Sequence, residues 1–237
     1  MEGKTAVVLG ATGLVGQHLV QELLNDPFFT KVRILVRKPY NSSHPKLEVQ
    51  VVNFDDDQDV SAKMCKGDVI FCCVGTTRKK VAGDRTAYRK VDYDIPMNTA
   101  RLGLQKGYSQ YVLISAVGAN AFAGNFYLQL KGSLEEDMMG FPYKSIQIFR
   151  PSFLLGKRGE FRLGERIGMV FMTALSVLML GSLTKYRPIQ ASKVAGAMIA
   201  AVKQPPNGVT IYEYDEMKKL LSPPATSGLH QQSLLRS

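Results

Sequence analysis

The feature that most constrains this chain is a glycine loop set between a strand-like run and a helix-like run near its start. Thr5 to Leu9 reads TAVVL, short, apolar and β-branched, the pattern of a strand buried on both faces of a parallel sheet. Gly10-Ala11-Thr12-Gly13-Leu14-Val15-Gly16 follows at once. From Leu14 to Leu24 apolar residues fall at 14, 15, 19, 20, 23 and 24, the spacing of one helix face, with Pro27 just beyond. Gly10 permits a sharp turn, Gly13 lets the backbone approach a pyrophosphate, and Gly16 lets the helix pack close. The helix N-terminus then offers unpaired N–H groups and a partial positive charge to phosphates. The spacing is GxxGxxG, not the GxGxxG of the common dinucleotide fingerprint. A purely structural strand–helix turn is the alternative; the strand before and the helix after favour the phosphate loop.

The same rhythm continues. Val32 to Val36, Val49 to Val52, Val69 to Val74, Tyr111 to Ile114 and Ser145 to Phe149 read as strands. A helix is expected from near Asp92, with Pro96 in its first turn, to just before Gly107, and another from Asn125 to Met139. Alternating strands and helices predict an α/β fold, a Rossmann-like doubly wound parallel sheet with helices on both faces. After Pro151 the character changes. An apolar run from Gly168 to Leu183 precedes a helix over Ser192 to Val202 and a strand near Val209 to Tyr212. This region is expected to supply substrate-side elements within one NAD(P)-binding domain spanning 1–221. Residues 222–237, rich in Ser, Pro, Gln and Gly, are expected to be a disordered tail.

The second strand ends Leu35-Val36-Arg37-Lys38. Sheets of this kind that prefer NAD carry an acidic residue there for the ribose 2′-hydroxyl. Here two cations replace it, and a guanidinium pairs well with a 2′-phosphate, which predicts NADP(H) over NAD. An exposed basic turn is the other reading. Asn53 and Phe54, with Asp55 after them, end the third strand where the adenine would lie.

Tyr127 and Lys131 are four residues apart on an expected helix and so share a face. An ammonium beside a phenol favours the phenolate and should lower the tyrosine pKa toward neutrality, and the same lysine can hydrogen-bond the nicotinamide ribose, so Tyr127 and Lys131 are expected to border the cofactor as well. Ser115 ends the fifth strand, on the side of such sheets where ligands gather. Its hydroxyl can hold a substrate carbonyl while Tyr127 gives the oxygen a proton and a nicotinamide delivers hydride. A helical surface pair is the alternative for Tyr127 and Lys131.

Composition narrows the partners. Thirty Lys and Arg against twenty Asp and Glu give a net charge of +10 and invite a nucleic-acid reading. The cations are scattered, apart from Arg78, Lys79, Lys80, Arg85, Arg89 and Lys90, and no nucleic-acid recognition motif accompanies them. A phosphate-bearing small molecule accounts for that charge equally well. Three cysteines, two adjacent at Cys72 and Cys73, fit buried thiols better than disulfides, and with three histidines no dedicated metal site is expected. His18 reads as a surface or helix-packing residue, not a catalytic base. The sixteen apolar residues from Gly168 to Leu183 fall short of the roughly 20 that span a membrane, and the chain start lacks a secretory layout. These two features give the expectation of a soluble, cytoplasmic protein. The methionines of that run, Met169, Met172 and Met179, suit a pliable substrate wall, a docking face or plain helix core.

Taken together, GATGLVG, Ser115, Tyr127-x-x-x-Lys131 and Phe149-Arg150-Pro151 resemble the short-chain dehydrogenase/reductase superfamily. Phe71-Cys72-Cys73-Val74-Gly75-Thr76-Thr77-Arg78 and Tyr127-Leu128-Gln129-Leu130-Lys131-Gly132 resemble more closely its atypical branch, that of the Tat-interacting oxidoreductases and their bacterial and fungal relatives. The likeness spans roughly residues 5 to 215. It implies that Gly10, Gly13 and Gly16 hold a pyrophosphate, Arg37 the 2′-phosphate, and that Gly75, Thr76 and Thr77 line the cofactor. Ser115, Tyr127 and Lys131 would form the superfamily triad. Two departures stand out: the branch tends to have Asp-Phe at Asn53-Phe54, and a second serine at Ala116. Three functions follow for comparison. One is an NADPH-dependent reductase of a small, partly apolar carbonyl compound. A second is an NADPH-sensing module that binds a protein partner, or a homodimer, with little turnover. The third, sugar-nucleotide epimerisation, fits less well because the segment after Pro151 is short.

Overall fold

The computed structural model describes residues 3–77, 79–156 and 180–222. Seven strands form one all-parallel sheet. They are β1 (Lys4–Leu9), β2 (Phe29–Val36), β3 (Leu47–Val51), β4 (Val69–Cys72), β5 (Gln110–Ile114), β6 (Ser145–Phe149) and β9 (Gly208–Tyr212), in the order β3-β2-β1-β4-β5-β6-β9. The order reverses between β1 and β4, so the crevice beyond their carboxyl ends is the natural ligand position of such a sheet. A two-stranded ribbon, β7 (Leu154–Leu155) with β8 (Ile189–Gln190), lies outside it.

Both faces of the sheet are covered, which is why the central strands β1 and β4 are almost continuous apolar runs. On one face α1 (Leu14–Asn25) and α6 (Ala191–Val202) bury Leu19, Leu23, Val194 and Met198 against Val8, Ile34, Phe71 and Phe149. On the other face α2 (Asp57–Met64), α4 (Ile95–Gln105) and α5 (Phe126–Met139) bury Val60, Met64, Ala100, Leu134 and Met138 against Val7, Leu35, Ile70 and Leu113. Each fully buried Leu, Ile or Phe here contributes about 1.5–3 kcal/mol. The adjacent cysteines divide between the faces, Cys72 in the second cluster and Cys73 packed against the first.

Most expected elements are present, with one instructive difference. The helix expected from Asp92 begins earlier, as α3 (Arg85–Arg89), passes through a π-helical turn (Lys90–Asp94) and only then becomes α4. Pro96 sits in the first turn of α4 and has no N–H to give the carbonyl of residue 92. The Ile95 N–H reaches back to the Lys90 carbonyl instead, one residue further than an α-helix allows. That wider turn holds Asp92 inside the protein, at 1% exposure. The sequence reading did not include α2, the β7–β8 ribbon, a 3-10 turn (Gly181–Tyr186) or α7 (Tyr214–Leu221).

Candidate functional site

The glycine loop crosses the switch point. Gly10 has φ +75°, and a Cβ there would lie 2.4 Å from the Cys73 carbonyl oxygen after β4. At Gly16 a Cβ would lie 2.1 Å from the Gly10 carbonyl oxygen, so neither position tolerates a side chain without moving backbone. Gly13 donates its N–H to Gly10 O at 2.9 Å and serves as N-cap of α1 without a side chain to cap it. Among the described residues no side chain caps the first N–H groups of α1, the arrangement that receives a phosphate. This tight, uncapped cradle fits a dinucleotide pyrophosphate. Ala11 is buried, Val15 joins the core beneath the loop and Leu14 packs at its edge. Thr12 is exposed, and its carbonyl accepts a hydrogen bond from Gln17 Nε2.

Arg37 and Lys38 follow β2 directly and are exposed, with no ion pair to either among the described residues. Asn53, after β3, is fixed by the Asp59 carboxylate, which accepts its N–H at 2.8 Å, while Phe54 rests on the core. Asp55 Oδ1 lies 2.6 Å from Lys90 Nζ. Gly75 is exposed, and Thr77 Oγ1 accepts from the Lys80 N–H at 3.3 Å.

Ser115 stands one residue past β5, its N–H donated to Phe149 O at 2.7 Å. Its Oγ is buried and has no hydrogen-bond partner among the described residues. Tyr127 occupies the first turn of α5, where Asn125 Oδ1 caps the helix by accepting from the N–H groups of Tyr127 and Leu128. Lys131 lies one turn further on, at 3% exposure. Gly132 explains why that turn presses against the loop after Ser115: a Cβ there would sit 2.1 Å from the Asn120 carbonyl carbon.

Asp92 joins these groups and is absent from the sequence reading. Its Oδ1 lies 3.1 Å from Lys131 Nζ, at ion-pair distance but without hydrogen-bond alignment. Its Oδ2 accepts from the Thr76 N–H at 2.8 Å. Tyr88 adds a bond from its hydroxyl to the Thr76 carbonyl at 3.2 Å. Asp92 thus ties the loop after β4 to α5. The only sequence signal for it was Pro96, four residues on, which disrupts the helix where Asp92 turns inward.

This pairing alters the expected electrostatics of Tyr127. Burial raises its pKa above the ordinary phenol value, Lys131 opposes the rise and the Asp92 charge adds to it. The shift is upward although 36% of the residue is exposed. The downward shift expected from Lys131 is outweighed by the partial burial of the side chain and, to a smaller extent, by the Asp92 carboxylate beside the ammonium. Tyr127 is a protonated phenol at neutral pH.

The other candidates fall into place around this centre. Burial pushes both the Cys72 and Cys73 thiols upward, which makes them poor nucleophiles. His18 is exposed on α1. Arg150 makes a two-pronged pair with Glu135, itself 1% exposed, and so joins β6 to α5. The Arg187 carbonyl accepts from Ser152 Oγ. Arg78, most of the Gly168 to Leu183 run and the tail beyond residue 222 lie outside the described residues. Among the described residues no helix is long and apolar enough to cross a membrane.

An all-parallel sheet with a glycine cradle at its switch point defines a dinucleotide-binding protein of oxidoreductase-like, Rossmann fold. The chain belongs to the NAD(P)H-binding family, which it matches over residues 10–140. It is 32% identical to protein HTATIP2 of Rattus norvegicus over 178 residues, 74% of this chain and 73% of that protein. It is 30% identical to the mitochondrial protein FMP52 of Candida albicans over 223 residues, 90% of this chain and 96% of that one. These relatives bear out the resemblance read from the sequence. Among solved structures, MoeE5 in complex with UDP-glucose and NAD superposes with a TM-score of 0.66 at 15% identity, covering 89% of this chain and 75% of that one. Uronate dehydrogenase from Agrobacterium tumefaciens superposes with a TM-score of 0.66 at 14% identity, covering 89% and 76%. At these identities the likeness is one of fold.

The fungal relatives also correct an expectation. FMP52 proteins of three yeasts are mitochondrial by name, which points away from the cytoplasmic placement read from the sequence. That reading rested on the lack of a secretory layout, which addresses the secretory route alone; mitochondrial targeting uses a different, amphipathic basic pattern.

Proposed function

We propose that the chain is an NADPH-dependent oxidoreductase that reduces a carbonyl of a small, partly apolar substrate, working as one cofactor-binding unit over residues 1–221. The observation that carries the reading is a buried Ser115 Oγ, without a partner among the described residues, at the carboxyl end of β5, followed by Tyr127 and Lys131 on the next helix. Gly10, Gly13 and Gly16, with the loop residues between them, hold the pyrophosphate against the N-terminus of α1. Gly75, Thr76 and Thr77 flank the cofactor from β4, and Asn53 and Phe54 border its adenine. Arg37, assisted by Lys38, pairs with the 2′-phosphate, so Arg37→Ala weakens NADPH binding about 10- to 100-fold and leaves NADH binding unchanged. When bound, the nicotinamide supplies the hydride.

The remaining work is done by side chains. Ser115 Oγ donates a hydrogen bond to the substrate carbonyl oxygen, using a donor that has no partner among the described residues. Tyr127, a phenol that keeps its proton at neutral pH, gives that proton to the oxygen as negative charge develops there. Lys131, held by Asp92, stabilises the phenolate left behind until solvent restores the proton. Tyr127→Phe tests this assignment: turnover falls at least 100-fold while NADPH affinity stays within about twofold. Turnover within tenfold of the parent contradicts the role.

A further inference from the structure

We propose that the cavity beside Tyr127 takes a small aromatic carbonyl compound that carries a carboxylate, its ring seated among Tyr88 and Phe126 and its carboxylate held by Arg85. The inference rests on the reductase reading and adds the substrate class to it. The cavity has a volume of about 220 Å³ and lies between the start of α3 and the start of α5. That volume is above the ~150 Å³ that encloses a benzene ring and below the ~300 Å³ at which pockets for larger ligands begin. One six-membered ring with short substituents fits.

The walls specify chemistry. Tyr88 stands edge-to-face to Phe126, ring centroids 5.8 Å apart at 81°, and to Tyr127, 6.3 Å apart at 71°. Such a cluster offers ring faces and edges to a third aromatic ring, an arrangement worth about 0.5–1.5 kcal/mol per pair beyond simple burial. Of the lining's two charged groups, Asp84 turns Oδ1 to the N–H groups of Thr86 and Ala87 as the cap of α3. Arg85 is the other. Its Cζ lies 5.1 Å from the Phe126 ring centre, and among the described residues it has no carboxylate partner. Its neighbours differ: Arg89 pairs with Asp94 and Lys90 with Asp55. A guanidinium resting on an aromatic face keeps its N–H edge free for an anion. In the reaction, hydride adds to the carbonyl carbon, Tyr127 protonates the oxygen, and NADPH with one proton from solvent is converted to NADP+ while the carbonyl becomes an alcohol.

The test measures binding of unreactive probes to the full chain by ligand-observed NMR and calorimetry, with and without NADP+. The probes are benzoate, benzamide and cyclohexanecarboxylate. Benzoate is expected to bind at least tenfold more tightly than either of the others. Arg85→Met, at an exposed position, should erase the preference over benzamide, and Phe126→Leu the preference over cyclohexanecarboxylate. Equal affinities, unchanged preferences in the variants, or no probe bound would each overturn the proposal. Turnover of 4-carboxybenzaldehyde against benzaldehyde separates the two levels. Failure to reduce any carbonyl, with benzoate selectivity intact, strikes the reductase reading. Reduction without a preference for the carboxylate strikes the substrate class.

Discussion

Replacing Asp92 with alanine is expected to destabilise the chain far more than its single side chain suggests. The carboxylate is buried, and the Lys131 side chain 3.1 Å away is only 4% exposed. At that distance, with an effective dielectric constant near 20, the gross attraction is about 5 kcal/mol, much of it offset by desolvation of both groups. Removing one partner forfeits the attraction and leaves the desolvation in place, a loss of about 3–5 kcal/mol. The Thr76 N–H loses its acceptor in the same step. For a chain of this length each kcal/mol lowers the melting temperature by roughly 2–4 °C, so Asp92→Ala should melt about 6–20 °C below the parent. Thermal unfolding followed by circular dichroism measures this. The double variant Asp92→Leu with Lys131→Met removes both charges and should recover much of the loss. The reasoning is refuted if Asp92→Ala melts within 2 °C of the parent, or if the double variant shows the sum of the two single losses.

Similar logic applies to Glu135, a buried carboxylate paired with the partly exposed Arg150. Arg150→Met strands Glu135 and should cost about 3 kcal/mol in urea unfolding, while Arg150→Met with Glu135→Leu should cost less; a smaller loss in the single variant argues against a structural role for the pair. Alkaline pH offers a further check. Burial raises the phenols of Tyr88, Tyr108, Tyr111 and Tyr143 above their ordinary value of 10.0. Each holds its proton more tightly folded than unfolded, so stability is full below pH 10 and declines as the pH rises beyond it, by roughly 1.4 kcal/mol per pH unit per phenol. Melting temperatures constant from pH 9 to 11 would contradict that sign.

Much of this molecule is legible in its sequence because the information is local. TAVVL and VIFC are almost continuous apolar runs that only a two-sided sheet can bury, and Gly10 and Gly16 sit where any side chain would strike backbone. The placement of Ser115 past one strand and of Tyr127 and Lys131 on the next helix follows from the same rhythm. What was not legible depends on partners far apart in the chain. Asp92 meets Lys131 across 39 positions, through a π-helical turn that ordinary periodicity does not describe. Arg150 reads as part of a motif, yet its role is set by Glu135 on a different element. The helix α2 was missed because only Val60 and Met64 of its eight residues are buried. The direction of the Tyr127 shift was misjudged for a related reason: spacing shows the lysine but neither the carboxylate beside it nor the burial around it.

The central claim is tested most directly by titrating the full chain with NADPH and with NADH, then following NADPH oxidation against aldehydes, ketones and quinones. The account predicts that NADPH binds at least tenfold more tightly than NADH and that at least one carbonyl compound is reduced. Binding of neither cofactor, or tight NADPH binding with every carbonyl left unreduced, would contradict it.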